Sequence, residues 1–341
     1  MSGMLSGMDD RQWCGGPGAR GMAGHEPDLS TAENYRRFAA AVAERSPEYG
    51  ALAEAVADDE EILGLLATLP GDKRQPNLLF AAARYLLGAP PDPATLRGLV
   101  RERAGELTAV VLARRTQTNE AGRCATLLPA LAQLRGPLAL LEVGASAGLN
   151  LLPDRYSYDY AGHHVTGTDP EAPVLRCRPR GPVPLPDGAP TVVWRAGIDT
   201  APLDAARQDH ANWLECLLWP GEAGRRERLR AALRTAARHR PVIHRGDLLE
   251  DLGRIAADAP AGATLVVYHS AVLAYVSESV RRDFAAAVRE VGAVWLSNEA
   301  PGVIGPVETV DGPDDSFVLV RNGSEALAST DPHGAWVRWY R

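Results

Sequence analysis

Apolar residues recur at helical spacing through the first third of the chain, beginning just after residue 30. Ser30-Thr31-Ala32-Glu33 has the spacing of a capping box, which marks a helix N-terminus. Breaks rich in Pro, Gly and Asp separate further helical segments, predicted at residues 60–69, 77–87, 93–102 and 106–134. The pattern predicts an all-helical N-terminal domain over residues 30–135, which would form a lid on the substrate side.

From Leu138 onward, short apolar runs alternate with helical segments. Such alternation is typical of a mostly parallel sheet that helices cover on both faces. Residues 153–190 are rich in Pro, Tyr and Arg and fit neither period, so we predict an α/β domain over residues 136–341 with an insertion there. Strands are predicted at 138–143, 191–197, 241–245, 263–269 and 293–298, helices at 211–218, 224–239 and 277–291, and a C-terminal hairpin at 316–321 and 335–340.

Composition narrows the class of partner. With 341 residues, a formal net charge of −7 and a pI near 5.7, the chain lacks the basic surface that nucleic acid requires, and a small-molecule substrate is favoured. Four widely spaced cysteines form no Cys-x-x-Cys pair, which fits a reducing cytoplasm and predicts no bound metal. Residues 1–29 lack secretory-signal features and are predicted to be a disordered tail. No apolar run approaches the roughly 20 residues of a membrane helix.

One segment carries most of the functional signal. Residues 140–150 read Leu-Leu-Glu-Val-Gly-Ala-Ser-Ala-Gly-Leu-Asn, which predicts a strand, a tight small-residue turn and a helix N-terminus. Glu142, two residues before Gly144, suits the amino-acid or ribose end of S-adenosylmethionine. The pattern Gly144-x-Ser146-x-Gly148 equally matches the nucleophile elbow of α/β-hydrolases. Both interpretations place a ligand against this turn.

Polar residues close the other predicted strands, at the edge where open α/β sheets bind ligands. Asp199 is placed to hold the ribose hydroxyls of a nucleoside and Asp247 to accept from an adenine amino group, although either would also serve as a helix cap. His269 is a candidate general base or a hydrogen-bonded structural histidine. Asn298 and Glu299 would orient a substrate or only cap the next turn.

A polar run interrupts the last helical segment of the N-terminal domain. On a continuous helix, Thr116, Asn119, Glu120 and Arg123 fall on one face. Amide and hydroxyl groups outnumber simple charges there, as expected of a surface that binds a ligand, whereas a solvated face is the ordinary alternative. We predict that this face covers the pocket.

Several dispersed motifs together resemble one family, the bacterial domain of unknown function 2332. The motifs are Arg-Thr-Gln-Thr-Asn-Glu at 115–120 followed by Gly-Arg-Cys at 122–124, Leu-Glu-Val-Gly-Ala-Ser-Ala-Gly-Leu-Asn at 141–150, His-Ser-Ala-Val-Leu-Ala-Tyr at 269–275 and Trp-Leu-Ser-Asn-Glu at 295–299, with further matches at 75–80 and 193–199. The resemblance covers most of the chain from about residue 35. It implies the fold of class I S-adenosylmethionine-dependent methyltransferases, with a Rossmann-like, mostly parallel sheet.

The same resemblance implies site residues. Ala145 and Ser146 depart from the usual glycines of the turn, and the insertion leaves Asp159 or Asp169 as alternative partners for the ribose. Cofactor contacts are expected from Glu142, Gly144, Ala145, Ser146, Gly148, Asn150, Asp199 and Asp247. Substrate contacts are expected from Gln75, Asn77, Thr116, Asn119, Glu120, Arg123 and Asn298.

The leading hypothesis is an S-adenosylmethionine-dependent methyltransferase-like enzyme that acts on a small molecule. Its protein groups need only align an acceptor with the activated methyl group and remove a proton, because the cofactor carries the reactive group. His269 is the candidate base, assisted by Tyr275 or Glu299.

Two alternatives stay open. In a serine hydrolase, Ser146 would be the nucleophile and His333 the base, with Asp311, Asp314 or Asp315 as the acid, in the chain order that such enzymes use. In a protein that keeps the methyltransferase-like fold but not its activity, the site would only bind a ligand or would carry out chemistry other than methyl transfer.

Overall fold

A computed structural model describes residues 29–305 and 315–340. Helices fill the first part of this chain and then alternate with strands. None of the helices in these two ranges is long and apolar enough to cross a lipid bilayer. The helices described are α1 (Thr31–Val42), α2 (Pro47–Ala57), α3 (Glu60–Ala67), α4 (Pro76–Leu87), α5 (Pro93–Ala113), α6 (Arg123–Leu131), α7 (Gln208–Cys216), α8 (Ala223–His239), α9 (Leu252–Ala256) and α10 (Glu278–Glu290).

The strands form a nine-stranded sheet in the order β5-β12-β11-β10-β9-β8-β1-β6-β7 and a small sheet in the order β3-β2-β4. In the large sheet, β9-β10, β10-β11 and β11-β12 are antiparallel pairs, and the other neighbours are parallel. The predicted mostly parallel sheet is confirmed. The strands are β1 (Leu138–Val143), β2 (Ser157–Tyr160), β3 (His163–Val165), β4 (Val174–Arg176), β5 (Arg178–Arg180), β6 (Val192–Asp199), β7 (Val242–Arg245), β8 (Thr264–Ser270), β9 (Val294–Glu299), β10 (Phe317–Arg321), β11 (Glu325–Thr330) and β12 (Trp336–Trp339).

Local sequence signals set the ends of the first helices. Ser30 and Glu33 form the predicted capping box, in which the Ser30 hydroxyl accepts from the Glu33 amide at 3.2 Å and the Glu33 carboxylate accepts from the Ser30 amide at 2.8 Å. Pro47 begins α2, so the periodicity after residue 30 spans two helices. The break predicted between residues 102 and 106 is instead a kink at Arg103 (φ −137°, ψ 33°) inside α5.

Helices α1–α5 pack on an element of the α/β part of the chain. The Phe80 ring lies 6.1 Å from the Tyr35 ring and 5.0 Å from the Tyr49 ring, between centroids, at the centre of their core. Trp213 of α7 is 1 % exposed and belongs to the same cluster. Its indole N–H donates to the Arg115 carbonyl at 3.0 Å. The chain between α5 and α6 is therefore tied to α7.

Helices cover both faces of the large sheet. Strand β1 is buried along its whole length because alternate side chains enter two different cores. Leu138 and Leu140 pack with residues of α6 and α8, whereas Leu141 and Val143 pack with residues of α9 and α10. The uninterrupted apolar run of β1 is thus the signature of a central parallel strand.

The prediction of a C-terminal hairpin was wrong. Segments 316–321 and 335–340 do not pair with each other, because β11 lies between β10 and β12 and pairs with both. Within the predicted insertion, β2, β3 and β4 form the small sheet, and β5 extends the large sheet beside β12. Tyr158 and Tyr160 of β2 stack with 6.1 Å between ring centroids, and the Tyr160 hydroxyl donates to the Ala125 carbonyl of α6 at 2.7 Å.

Candidate functional site

The order of the parallel strands places a topological switch point at the end of β1. From β1 the chain runs to β6 and β7 on one side and then to β8 and β9 on the other side. At such a switch point the loops that leave the two central strands diverge, and ligands bind between them. The turn 144–148, His269 and Ser270 of β8, and Asn298 and Glu299 of β9 all lie at this edge.

The turn after β1 is tight. Gly144, Ser146 and Gly148 have φ values of +73°, +50° and +70°. The predicted helix after the turn is wrong, since a single 3-10 turn spans Leu149–Leu151 and Pro153, which lacks an amide donor, follows it. This stretch therefore lacks the helix N-terminus that binds phosphate in dinucleotide sites.

We expect Gly144→Ala to destabilise the fold by about 2 kcal/mol or more, since the residue has φ +73° and an added Cβ would lie 2.4 Å from Val272 Cγ2. Gly64→Ala in exposed α3 is the control, because nothing lies within 4 Å of its added Cβ and helix propensity favours alanine by about 1 kcal/mol. Urea unfolding measures both. Equal midpoints for Gly144→Ala and the wild type would contradict the expected strain.

Protein groups already satisfy the amides of the turn. Gly144 and Ala145 donate to the Ile198 carbonyl at 2.8 and 3.2 Å. The Ser146 amide donates to Asp199 Oδ2 at 2.8 Å. A ligand at this turn would therefore be recognised mainly by side chains, since these amides have acceptors within the protein.

A polar segment, residues 114–122, lies over the turn. Asn119 Nδ2 donates to Ser146 Oγ at 2.5 Å, and Asn119 Oδ1 accepts from the Ala147 amide at 3.0 Å. Ser146 Oγ in turn donates to Gln117 Oε1 at 2.8 Å. Gln117 was not among the expected site residues, although it belongs to the polar run that the sequence singles out. The segment contacts the turn through amide side chains.

The prediction of a continuous helix through this segment was wrong. Helix α5 ends before it and α6 begins after it. Groups distant along the chain satisfy its carbonyls, since Lys73 Nζ donates to the Arg114 carbonyl at 2.7 Å and Trp213 Nε1 to the Arg115 carbonyl at 3.0 Å, and such bonds replace the helical pattern. Four residues therefore do not share one helix face: Thr116, Asn119, Glu120 and Arg123.

Glu120 is the centre of an ion-pair cluster. It is 4 % exposed and accepts from Arg228 Nε at 2.7 Å, from Arg225 Nε at 3.0 Å and from the Gly122 amide at 2.9 Å. Burial raises the pKa of Glu120, but the hydrogen bonds and charge of Arg228 and the charge of Arg225 outweigh burial and hold this pKa below its ordinary value. Both arginines come from α8, which no sequence spacing connects to Glu120.

Other predicted substrate residues bind protein groups. Gln75 Oε1 accepts from the Thr116 hydroxyl at 3.1 Å. Asn77 Oδ1 accepts from Trp219 Nε1 at 2.9 Å. Asn298 is fully buried, and its amide group bonds with the side chains of two further strands. The structure thus brings Gln75 to the polar segment through Thr116 and pairs Asn77 with Trp219 in the connection between α7 and α8.

Glu142 is incompletely paired. This side chain is 3 % exposed, and its Oε1 accepts from Asn150 Nδ2 at 3.2 Å, whereas Oε2 has no partner in the described part of the chain. Burial outweighs the hydrogen bond from Asn150 and the charge of Arg123 and raises the pKa of Glu142 to about 8. A buried carboxyl group with a free oxygen therefore lies at the end of β1.

His269 has both ring nitrogens engaged. Trp295 Nε1, which can only donate, binds His269 Nε2 at 3.0 Å. Nδ1 consequently carries the ring proton and donates to Glu299 Oε1 at 2.7 Å. The side chain is 0 % exposed. In this geometry the ring orients Glu299, and the nitrogen that a general base needs is already occupied by an indole that the sequence analysis did not include.

Glu299 presents one free oxygen. Its Oε1 accepts from His269 and from the amides of Val272 and Leu273 at 2.8 and 3.1 Å. Its Oε2 is buried and has no partner among the residues described. Burial raises the pKa of the neighbouring Tyr275 hydroxyl, and the Glu299 charge adds to that shift. Glu299 therefore offers an acceptor atom that His269 lacks.

Asp199 and Asp247 both bind backbone amides. Asp199 accepts from the Ala201 amide at 2.7 Å through Oδ1 and from the Ser146 amide at 2.8 Å through Oδ2. Asp247 Oδ1 accepts from the Leu249 amide at 2.7 Å within a turn, and it does not cap the next helix, whose N-cap residue is Asp251. Because a carboxylate has about four acceptor positions, each group retains capacity for a ligand.

The described residues do not bring a histidine to Ser146. The hydroxyl proton goes to a side-chain amide oxygen. Burial, followed by the charges of nearby arginines, lowers the pKa of His333 to about 2. Asp315 is exposed, and Asp311 and Asp314 lie outside the described residues. The Ser–His hydrogen bond that activates a serine nucleophile is therefore missing from this geometry.

No group of three or more His, Cys, Asp or Glu side chains between residues 29 and 305 or 315 and 340 is placed to hold a metal ion.

Comparisons with known proteins give the family and no activity. No curated protein and no solved structure matches the chain. The family described as "uncharacterized protein conserved in bacteria (DUF2332)" matches residues 32–339, as the sequence motifs predicted. The chain belongs to this family.

Proposed function

We propose that this protein is an S-adenosylmethionine-dependent methyltransferase-like enzyme that acts on a small molecule. The observation that carries the proposal is Glu142, a buried carboxyl group with an unpartnered oxygen at the end of β1. Counted along the chain, the five adjacent parallel strands β7-β6-β1-β8-β9 have the order 3-2-1-4-5, as in Rossmann-type sheets, and Glu142 lies at their switch point.

The acidic groups around the crevice fit a sulfonium nucleoside that carries an amino-acid group. Glu142 Oε2 would receive the ammonium group, Asp199 the ribose hydroxyls and Asp247 the adenine amino group. Ala145, Gly148 and Asn150 would line the same edge. When bound, the cofactor supplies an activated methyl group.

Around that cofactor, the chain's own residues would orient the acceptor and remove its proton. Glu299 Oε2 is the proposed proton acceptor, because Trp295 occupies the nitrogen that His269 would need for this role. His269 is then a positioning residue for Glu299, and Tyr275 lies beside them. The segment 114–122 would exclude water, and helices α1–α5 would form the lid on the substrate side.

Isothermal titration of the full chain with S-adenosylmethionine, and separately with S-adenosylhomocysteine, tests this proposal. We expect micromolar binding of both, and at least tenfold weaker binding by Glu142→Gln and Asp199→Asn. Asp159→Asn in β2 is the matched control, and its affinity for both nucleosides is expected to equal that of the wild type. The same variant tests Asp159 as the alternative ribose partner. No detectable binding of either nucleoside to the wild type would overturn the proposed function.

A further inference from the structure

Arg123 is a buried cation without a direct carboxylate partner. It is 3 % exposed, and its Nε and Nη1 donate to the carbonyls of Pro332 and Ser270 at 2.9 Å each. None of the described carboxylates makes an ion pair with it, although Glu120 and Glu299 lie close enough to act against the lowering of its pKa by burial. The Nη2 hydrogens thus have no acceptor within the described protein.

Glu299 is the corresponding buried anion. It is 1 % exposed, and its Oε1 accepts three hydrogen bonds. Its Oε2 accepts no hydrogen bond from the described residues. The carbonyls of Pro332 and Ser270 and the Phe317 ring, whose centroid lies 5.9 Å from the guanidinium carbon, contact Arg123, whereas two amides and His269 bind Glu299 Oε1. A buried charge without an oppositely charged partner is strongly unfavourable, so a buried cation and a buried anion that do not pair with each other favour a ligand that supplies both partners.

We propose that Arg123 and Glu299 form a subsite for the amino-acid group of the acceptor substrate. The carboxylate of the substrate pairs with the free edge of the Arg123 guanidinium, whose planar fork suits a carboxylate. The ammonium group of the substrate binds Glu299 Oε2, the atom proposed above as the proton acceptor, so the proton that Oε2 removes would come from this ammonium group. The assignment of this subsite to the acceptor rests on the proposed function, in which Glu142 binds the cofactor. The presence of two complementary buried charges does not depend on that function.

A small cavity beside Glu299, which Arg123 does not line, supports the ammonium position of this arrangement. Glu299 lines it together with Val318, Val320 and residues between 300 and 305, and its volume is about 20 Å³. That volume holds one water-sized group, which is also the size of an ammonium group. The other walls supply no charged side chain, so Glu299 alone determines which charge the cavity accepts.

Three related probes test the subsite by calorimetric titration of the full chain. L-norleucine carries both charges, n-pentylamine lacks the carboxylate and hexanoate lacks the amine. We expect norleucine to bind at least tenfold more tightly than either of the others. Arg123→Met is expected to reduce norleucine affinity to that of pentylamine, and Glu299→Gln to that of hexanoate. Arg101→Met, an exposed arginine of α5, is the control that leaves all affinities unchanged.

The outcomes separate the two proposals. Equal binding of the three probes, or norleucine binding that both variants retain, would overturn the subsite. Displacement of norleucine by saturating S-adenosylhomocysteine would assign these charges to the cofactor and overturn the assignment to the acceptor. Variant-sensitive norleucine binding without any nucleoside binding would support the subsite and reject the methyltransferase function. Unchanged circular dichroism of both variants ensures that lost binding does not reflect lost folding.

Discussion

Glu142→Gln is expected to make the protein more stable than the wild type at pH 8. Burial raises the pKa of Glu142 to about 8 from an ordinary value of 4.5, so the folded state keeps a proton that the unfolded state has lost between these values. The wild type therefore loses stability as pH rises through this window, whereas glutamine does not titrate. Between pH 5 and pH 8 the advantage of the variant should grow by on the order of 4 kcal/mol.

Urea unfolding at pH 5, 6, 7 and 8 measures this difference. Glu61→Gln on the surface of α3 is the control, and its curve should parallel that of the wild type. A constant difference between Glu142→Gln and the wild type over this range would show that Glu142 ionises normally when folded. Together with the expected loss of nucleoside binding, a stabilised Glu142→Gln variant would mean that the fold tolerates an unfavourable carboxyl group for the sake of its ligand.

Glu120→Gln is expected to destabilise the fold by about 3 kcal/mol at pH 7, because it leaves Arg228 without a carboxylate partner inside the protein, whereas Arg225 keeps its ion pair with Glu222. The side-chain oxygen would retain the bond from the Gly122 amide, so the effect isolates the charge. Since the folded-state pKa of Glu120 is lowered, its stabilising contribution is present above the ordinary carboxyl pKa and is lost as pH falls through the folded value.

Chemical unfolding at pH 7 compares Glu120→Gln with Glu61→Gln, which breaks the exposed pair with Arg101. The latter should change stability by less than about 1 kcal/mol. Adding Arg228→Met to Glu120→Gln should recover part of the loss, because one unpaired charge is removed. A loss of less than about 1 kcal/mol for Glu120→Gln would show that the cluster does not fix the polar segment.

Where local periodicity is strong, the sequence predicted most secondary-structure elements correctly. The five parallel strands of the sheet core and helices α7, α8 and α10 were predicted within a few residues, because an apolar run acts through neighbours along the chain, whereas the short helix α9 was not predicted. Strand β11 was missed, since its exposed first residues weaken the apolar pattern. The helix predicted after the turn was also wrong, because a 3-10 turn and Pro153 interrupt it.

The same contrast between what local sequence predicts and what it misses applies to the candidate site. The sequence identified the turn after β1, the polar ends of β8 and β9, and the polar run over them, because residue type and strand position suffice for that. It could not determine that Trp295 occupies His269 Nε2, or that α8 pairs with Glu120, because those bonds join residues that only tertiary packing brings together.

The family, the mostly parallel sheet and the sheet edge at which the polar residues gather follow from local sequence patterns. Which of those residues keep an unpartnered atom depends instead on three-dimensional packing. Burial and hydrogen bonding are properties of three-dimensional neighbours, so only the folded chain reveals that both nitrogens of His269 are engaged and that Glu142 and Glu299 each keep an unpartnered oxygen.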